Sequence, residues 1–139
     1  MKLVIDASVA IKWLIPEVHS ESAQRLLSNS EAGLLAPDLI VPEFTNILWK
    51  KERRNEIRRS EALEILNALP SIGIAVHPSE SLVVPAFEIA SKIDRSVYDC
   101  LYLALAVAHD CPLVTADRKF HTVIAETPFG KHALWIEGV

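Results

Sequence analysis

Short apolar runs alternate with helix-patterned segments along the whole chain, and that rhythm restricts the fold more than any other feature. The runs fall at residues 2–6 (KLVID), 33–36 (GLLA), 73–77 (GIAVH), 112–117 (PLVTAD) and 133–137 (ALWIE). Strands separated by helices assemble into a parallel sheet covered on both faces. The expected class is therefore α/β, a three-layer α/β/α sandwich around a central parallel sheet. No repeat, low-complexity tract or Gly/Ser linker interrupts the 139 residues, so residues 1–139 read as one domain.

The helical segments carry their own punctuation. Ser8 is placed to cap a short helix that runs to residue 15 and stops at Pro16. Residues 20–30 read as an exposed helix. A third helix spans 38–54 after Pro37, with Pro42 either marking its start or bending its first turn. Residues 60–69 form a helix closed by Pro70, and 79–93 form one kinked at Pro85. Residues 97–109 are apolar nearly all round, which marks a buried helix, and a short helix follows residue 117.

Several function classes drop out early. The longest strongly apolar stretch, 101–108, is far too short to span a bilayer, and the N-terminal MKLVIDAS turns acidic where a signal peptide is apolar. A cytoplasmic protein is expected. If Cys100 and Cys111 both sit on one helix, they lie roughly 16 Å apart, beyond disulfide reach. The five histidines are scattered, so no zinc-type set appears. The formal net charge is −4, yet residues 50–59 (KKERRNEIRR) carry a local +4 and leave −8 elsewhere. That balance opposes a general coat of positive charge for nucleic acid but admits one basic edge beside an acidic centre.

In open parallel sheets, ligands gather beyond the carboxyl ends of the strands. Asp6 ends the first strand and Asp117 directly follows LVTA of the fourth. Either could simply cap the next helix. Asp99 sits in a Ser96-x-x-Asp99 pattern related to the capping box, but it opens a helix otherwise buried. Glu43 lies inside the apolar stripe of its helix, among Leu39, Ile40, Phe44 and Ile47. A carboxylate there needs a partner, and Lys50 or a neighbouring arginine is the structural candidate. Should the four converge, they repel unless a cation neutralises them. Oxygen-only ligands select hard ions, Mg2+ or Mn2+. Such a site polarises a phosphodiester and acidifies a water for in-line attack, with Ser8 and Thr115 as orienting hydroxyls.

Four segments around these acids, VIDASVAIKWLIPE (4–17), APDLIVPEFTNILW (36–49), SVYDCLYLALA (96–106) and LVTADRKF (113–120), resemble in order the PIN-domain nucleases, specifically the VapC-type toxins of toxin–antitoxin pairs. The resemblance implies a PIN fold, a homodimer, Mg2+-dependent cleavage of RNA leaving a 5′-phosphate and a 3′-hydroxyl, and an antitoxin partner. It assigns the metal-holding, catalytic quartet to Asp6, Glu43, Asp99 and Asp117, with Thr115 as the strand hydroxyl and Asn46 as the helix asparagine. Two positions depart from the family pattern: Cys100 stands where alanine is usual, and Pro42 directly precedes the helix acid. Neither removes a ligand.

Three further readings accompany this one. Trp13, Leu14 and Trp49 are candidates for an apolar groove that takes the antitoxin tail, or for core. The 50–59 segment is a solvated basic face or a contact for RNA phosphates, with Lys12 and Lys119 as further candidates. The alternatives to a nuclease are a noncatalytic binding module of PIN fold and an aspartyl-phosphate protein. The first strand's DAS, in place of D-x-D, disfavours the latter.

Overall fold

The computed structural model describes residues 1–28 and 33–139. Five strands, β1 (Lys2–Ile5), β2 (Gly33–Pro37), β3 (Ala75–His77), β4 (Leu113–Thr115) and β5 (Ala133–Trp135), form one sheet in the order β3-β2-β1-β4-β5. Every pairing is parallel. Val4 of β1 pairs with Leu35 on one side and Leu113 on the other, which makes β1 the central strand. Leu3, Val4, Ile5, Leu113 and Val114 are fully buried, as expected of strands covered on both faces. The edge strand β3 is largely exposed.

The connections are α1 (Ala7–Leu14), α2 (Ser20–Ser28), α3 (Ile40–Arg53), α4 (Arg59–Ala68), α5 (Val83–Ile93), α6 (Val97–Ala108) and α7 (Arg118–Ala125). Helix α6 is buried continuously from Cys100 to Ala106, lies against β1, β2 and β4, and carries α5 on its other side. Helix α1 packs on α2 and α3. Among the described residues no helix is long and apolar enough to cross a membrane. Both cysteines are free and buried.

The structure corrects several local expectations. Asp6, not Ser8, caps α1, accepting the Val9 N–H at 3.2 Å. Pro42 and Pro85 each occupy the third residue of their helix, where a backbone N–H has no partner to lose, so neither kinks the chain. Helix α5 starts at Val83 because residues 79–82 form a separate 3-10 turn. Pro70 does not close α4; it lies in the 3-10 turn Leu69–Ile72, which ends at Gly73 with φ 85°. The basic segment is not one helix face, since α3 ends at Arg53 and Asn55 takes a left-handed conformation before α4. Of the helix expected at 20–30, residues 29 and 30 lie outside the described residues.

Candidate active site

The strand order reverses at β1. The chain moves outward through β2 and β3, then returns to place β4 on the other side of β1. The crevice beyond the carboxyl ends of β1 and β4 is thus the switch point where such sheets bind ligands. Asp6 and Asp117 flank it, each capping the helix that leaves its strand; Asp117 accepts the Phe120 N–H at 3.2 Å.

A hydroxyl network joins the two strand ends. Ser8 and Thr115 donate to the two carboxylate oxygens of Asp6. Ser8 Oγ accepts the Ala116 N–H at 3.1 Å, and Thr115 Oγ1 accepts the Asp117 N–H at 3.0 Å. Asp6 is 8% exposed, and burial pushes its carboxyl up to about 6, with the Asp117 charge adding to the rise. The Ser8, Thr115 and Val9 hydrogen bonds oppose that shift without cancelling it. Capping and cavity-facing roles coexist in both aspartates, so the two readings of each are not alternatives.

The facing wall comes from α3 and α6. Glu43, in the first turn of α3, is half-buried and accepts the Tyr102 hydroxyl. Among the described residues it forms no ion pair, so the basic partner expected for it is replaced by a phenol. Burial raises the Glu43 carboxyl, the Tyr102 bond opposes this, and the Asp99 charge adds to it. Asp99 and Tyr102 are three residues apart on α6 and share a face. Ser96 caps α6 by accepting the Asp99 N–H at 3.2 Å, leaving the Asp99 carboxylate directed elsewhere. One of its oxygens meets Arg95 Nε at 2.7 Å, and the Arg95 guanidinium lies 5.2 Å from the Phe120 ring centre.

All four acids line one open cavity of about 250 Å³, together with Ser8, Asn46, Lys50, Tyr102 and Phe120. Thr115 stands behind Asp6 and does not line it. Among the described residues no three His, Cys, Asp or Glu side chains close into a tight metal cage. Instead the acids fall into two repelling couples, Asp6 with Asp117 and Glu43 with Asp99. Sequence reasoning missed Tyr102 and Arg95, and it took Lys50 for a partner of Glu43 when it is a cavity wall. The recoverable signal for Tyr102 was spacing, since it follows Asp99 by three residues on the same helix.

The PIN domain family matches this chain over residues 3–125. The chain belongs to the PIN-domain family. Ribonuclease VapC3 of Pyrobaculum aerophilum is 38% identical over 121 residues, covering 86% of this chain and 92% of the relative. The crystal structure of PAE2754 from the same organism matches this PIN domain with a TM-score of 0.69 at 22% identity, covering 99% of this chain and 90% of that one. A toxin–antitoxin complex from Klebsiella pneumoniae matches with a TM-score of 0.63 at 12% identity, covering 91% and 93%. Within the PIN proteins the chain belongs with the VapC ribonucleases. That family is typically metal-dependent.

Elsewhere the structure separates the expected groove residues. Trp13 is core, its indole N–H donating to the Ala23 carbonyl at 2.6 Å. Trp13 and Leu14 nonetheless share the wall of a groove along α2, whereas Trp49, 56% exposed, lies in another between α3 and α4. Trp49 does not share the surface of the other two. The basic segment divides in the same way. Lys50 lines the acidic cavity, Lys51 and Arg54 line an adjoining groove with Lys12, and Arg58 pairs with Glu61 at 2.9 Å. Within that groove Glu17 holds Lys12 at 2.8 Å and Lys51 at 3.1 Å.

Proposed function

We propose that this PIN domain, acting as a single unit, is a Mg2+-dependent endoribonuclease and the toxin of a toxin–antitoxin pair. Asp6, Glu43, Asp99 and Asp117 form its catalytic, cation-holding quartet. One observation carries the reading: four acids distant in sequence line one cavity at the sheet's switch point, where the Asp117 charge adds to the rise of Asp6 and the Asp99 charge to that of Glu43. Repelling carboxylates of this kind are stabilised in their ionised form by a divalent cation. The oxygen-only donor set fits Mg2+, with Mn2+ as a substitute.

When bound, the ion supplies Lewis-acid polarisation of the phosphodiester and an acidified water for in-line displacement. The chain's own residues prepare that site. Ser8 and Thr115 fix both oxygens of Asp6, Tyr102 orients Glu43, and Lys50 places a positive charge where a phosphate enters. Lys50 also borders the groove with Lys12, Lys51 and Arg54, a track for the RNA backbone. Asn46, on the cavity wall, is positioned to hydrogen-bond substrate or an ordered water.

The test is cleavage of RNA by the purified chain in Mg2+, with mapping of the ends. The expected products carry a 5′-phosphate and a 3′-hydroxyl, and Asp6→Asn and Asp99→Asn abolish cutting while the fold persists. Equal cleavage by wild type and both variants indicates a contaminating nuclease and overturns the reading.

The partners follow from the same proposal. The Klebsiella complex supports an antitoxin. An arginine or lysine from its tail would pair with the cavity acids and exclude the cation; titration with the neighbouring gene's product should therefore suppress cleavage. Val84 and Phe87 of α5, 67% and 65% exposed, give a homodimer an apolar face to cover. Light scattering checks the dimer. An RNA substrate and two buried free thiols fit a cytoplasmic location.

A further inference from the structure

We propose that Arg118 and Trp135 form a stacking platform that receives one unpaired base of the RNA beside the acidic cavity; this rests on the ribonuclease reading. The sheet builds the platform. Thr115 pairs with Trp135 across β4 and β5, so the tryptophan stands at the carboxyl edge one strand, about 4.8 Å, from the residue that bonds Asp6. Arg118 directly follows the cavity acid Asp117 and opens α7. Its guanidinium carbon lies 3.7 Å from the Trp135 ring centre, well inside the range of a cation–π contact.

The surroundings leave one surface of this pair for a ligand. His19 and His121 meet the Trp135 indole edge-on, with centroids 5.4 Å and 6.0 Å away. The indole N–H donates to Glu137 Oε1 at 2.9 Å, and the same carboxylate is 3.5 Å from His19 Nδ1. The indole N–H is therefore occupied and one face is covered by Arg118. Arg118 is itself exposed and forms no ion pair among the described residues, although Glu137 senses its charge and that of Arg25. A guanidinium seated over tryptophan is pre-oriented, and a guanidinium face is a plane on which RNA bases stack. The four carboxylates suit the cavity to phosphate and cation, and neither Arg118 nor Trp135 lines it. A strand threaded through it must place the neighbouring base outside, and the Arg118–Trp135 stack adjoins it through Asp117.

The experiment measures fluorescence anisotropy of two labelled single strands of equal length in EDTA, so that nothing is cut. One is a mixed-sequence oligoribonucleotide and the other the same ribose-phosphate chain without bases. Wild type is expected to prefer the base-bearing strand by about tenfold, the scale of one stacked base. Arg118→Lys keeps the charge and loses the plane, and it should lose that preference while melting at the wild-type temperature. In wild type the Trp135 indole N–H resonance, assigned with Trp135→Phe, should move with the base-bearing strand and stay fixed with the abasic one. Equal binding of both strands by wild type, an unmoved indole resonance, or a preference retained in Arg118→Lys overturns the platform. Cleavage in Mg2+ is scored separately. A chain that shows the base preference but cuts nothing contradicts the ribonuclease reading alone, and one that cuts without the preference contradicts the platform alone.

Discussion

Tyr102 reaches from α6 to donate its phenolic proton to the Glu43 carboxylate on α3, tying together the two helices that form one wall of the acidic cavity. Tyr102 is 2% exposed, and burial together with the neighbouring acids pushes its hydroxyl far above the ordinary range, so it remains a donor at every working pH. The phenol holds Glu43 in place without neutralising it, as an arginine would.

Replacing Tyr102 with Phe keeps the packing and removes that one bond. The expected result is a loss of roughly tenfold in kcat with little change in KM, consistent with a charged hydrogen bond of about 1.5–3 kcal/mol only partly compensated by water. Steady-state cleavage of an RNA with one mapped site checks this; an unchanged kcat removes Tyr102 from the account.

Asp6 gives the metal-free protein a pH signature. Its carboxyl rises from an ordinary 3.8 to about 6 on folding, chiefly through burial. The folded chain therefore keeps a proton that the unfolded chain has lost, and the Asp6 contribution to stability is greatest below about pH 4. It falls as pH rises through about 6, by on the order of 2–3 kcal/mol for a shift of this size. Glu43 shifts in the same direction. Urea unfolding in EDTA across pH 4–8 measures the slope, which Asp6→Asn should flatten. Added Mg2+, which favours the ionised form, should restore stability at the alkaline end.

Thr115→Val leaves the volume nearly constant but removes the hydroxyl that serves both Asp6 and the Asp117 N–H. A stability loss of about 1–3 kcal/mol is expected from the stranded buried groups. Asp6 loses one of the bonds that lower its pKa, so the acid limb of the pH–rate profile should move to higher pH. A pH–rate series on wild type and variant reads this shift.

The basic segment should behave as two populations. Lys50→Ala and Arg54→Ala, at the cavity and its adjoining groove, should each reduce the salt slope of RNA binding by about 1. Arg58→Ala should leave it unchanged, because Arg58 is held by Glu61 and lines neither. Anisotropy titrations at several salt concentrations distinguish the three.

These residues also show how far the sequence was readable. Asp6 and Asp117 could be placed because a strand that ends on an acid fixes where that acid emerges. Glu43 stood out because a carboxylate in an apolar stripe demands an explanation. Tyr102 did not, since an aromatic in a helix apolar on every side reads as core until a partner helix supplies the carboxylate. Arg95 precedes α6, outside any periodic pattern. Arg118 and Trp135 are 17 residues apart and meet only because β4 and β5 pair in parallel register, which no local pattern reveals. The prolines misled for a related reason: a proline inside an apolar period reads as a kink, whereas only the helix start shows that Pro42 and Pro85 lie in first turns.

The central claim is that Asp6, Glu43, Asp99 and Asp117 share one cation. Mn2+ titration followed by electron paramagnetic resonance, on wild type and on Asp6→Asn, Glu43→Gln, Asp99→Asn and Asp117→Asn, tests it most directly. The account predicts a saturable site in wild type that weakens in all four variants, most in Asp6→Asn. Undiminished Mn2+ binding in the four variants, or no saturable site in wild type, would contradict it.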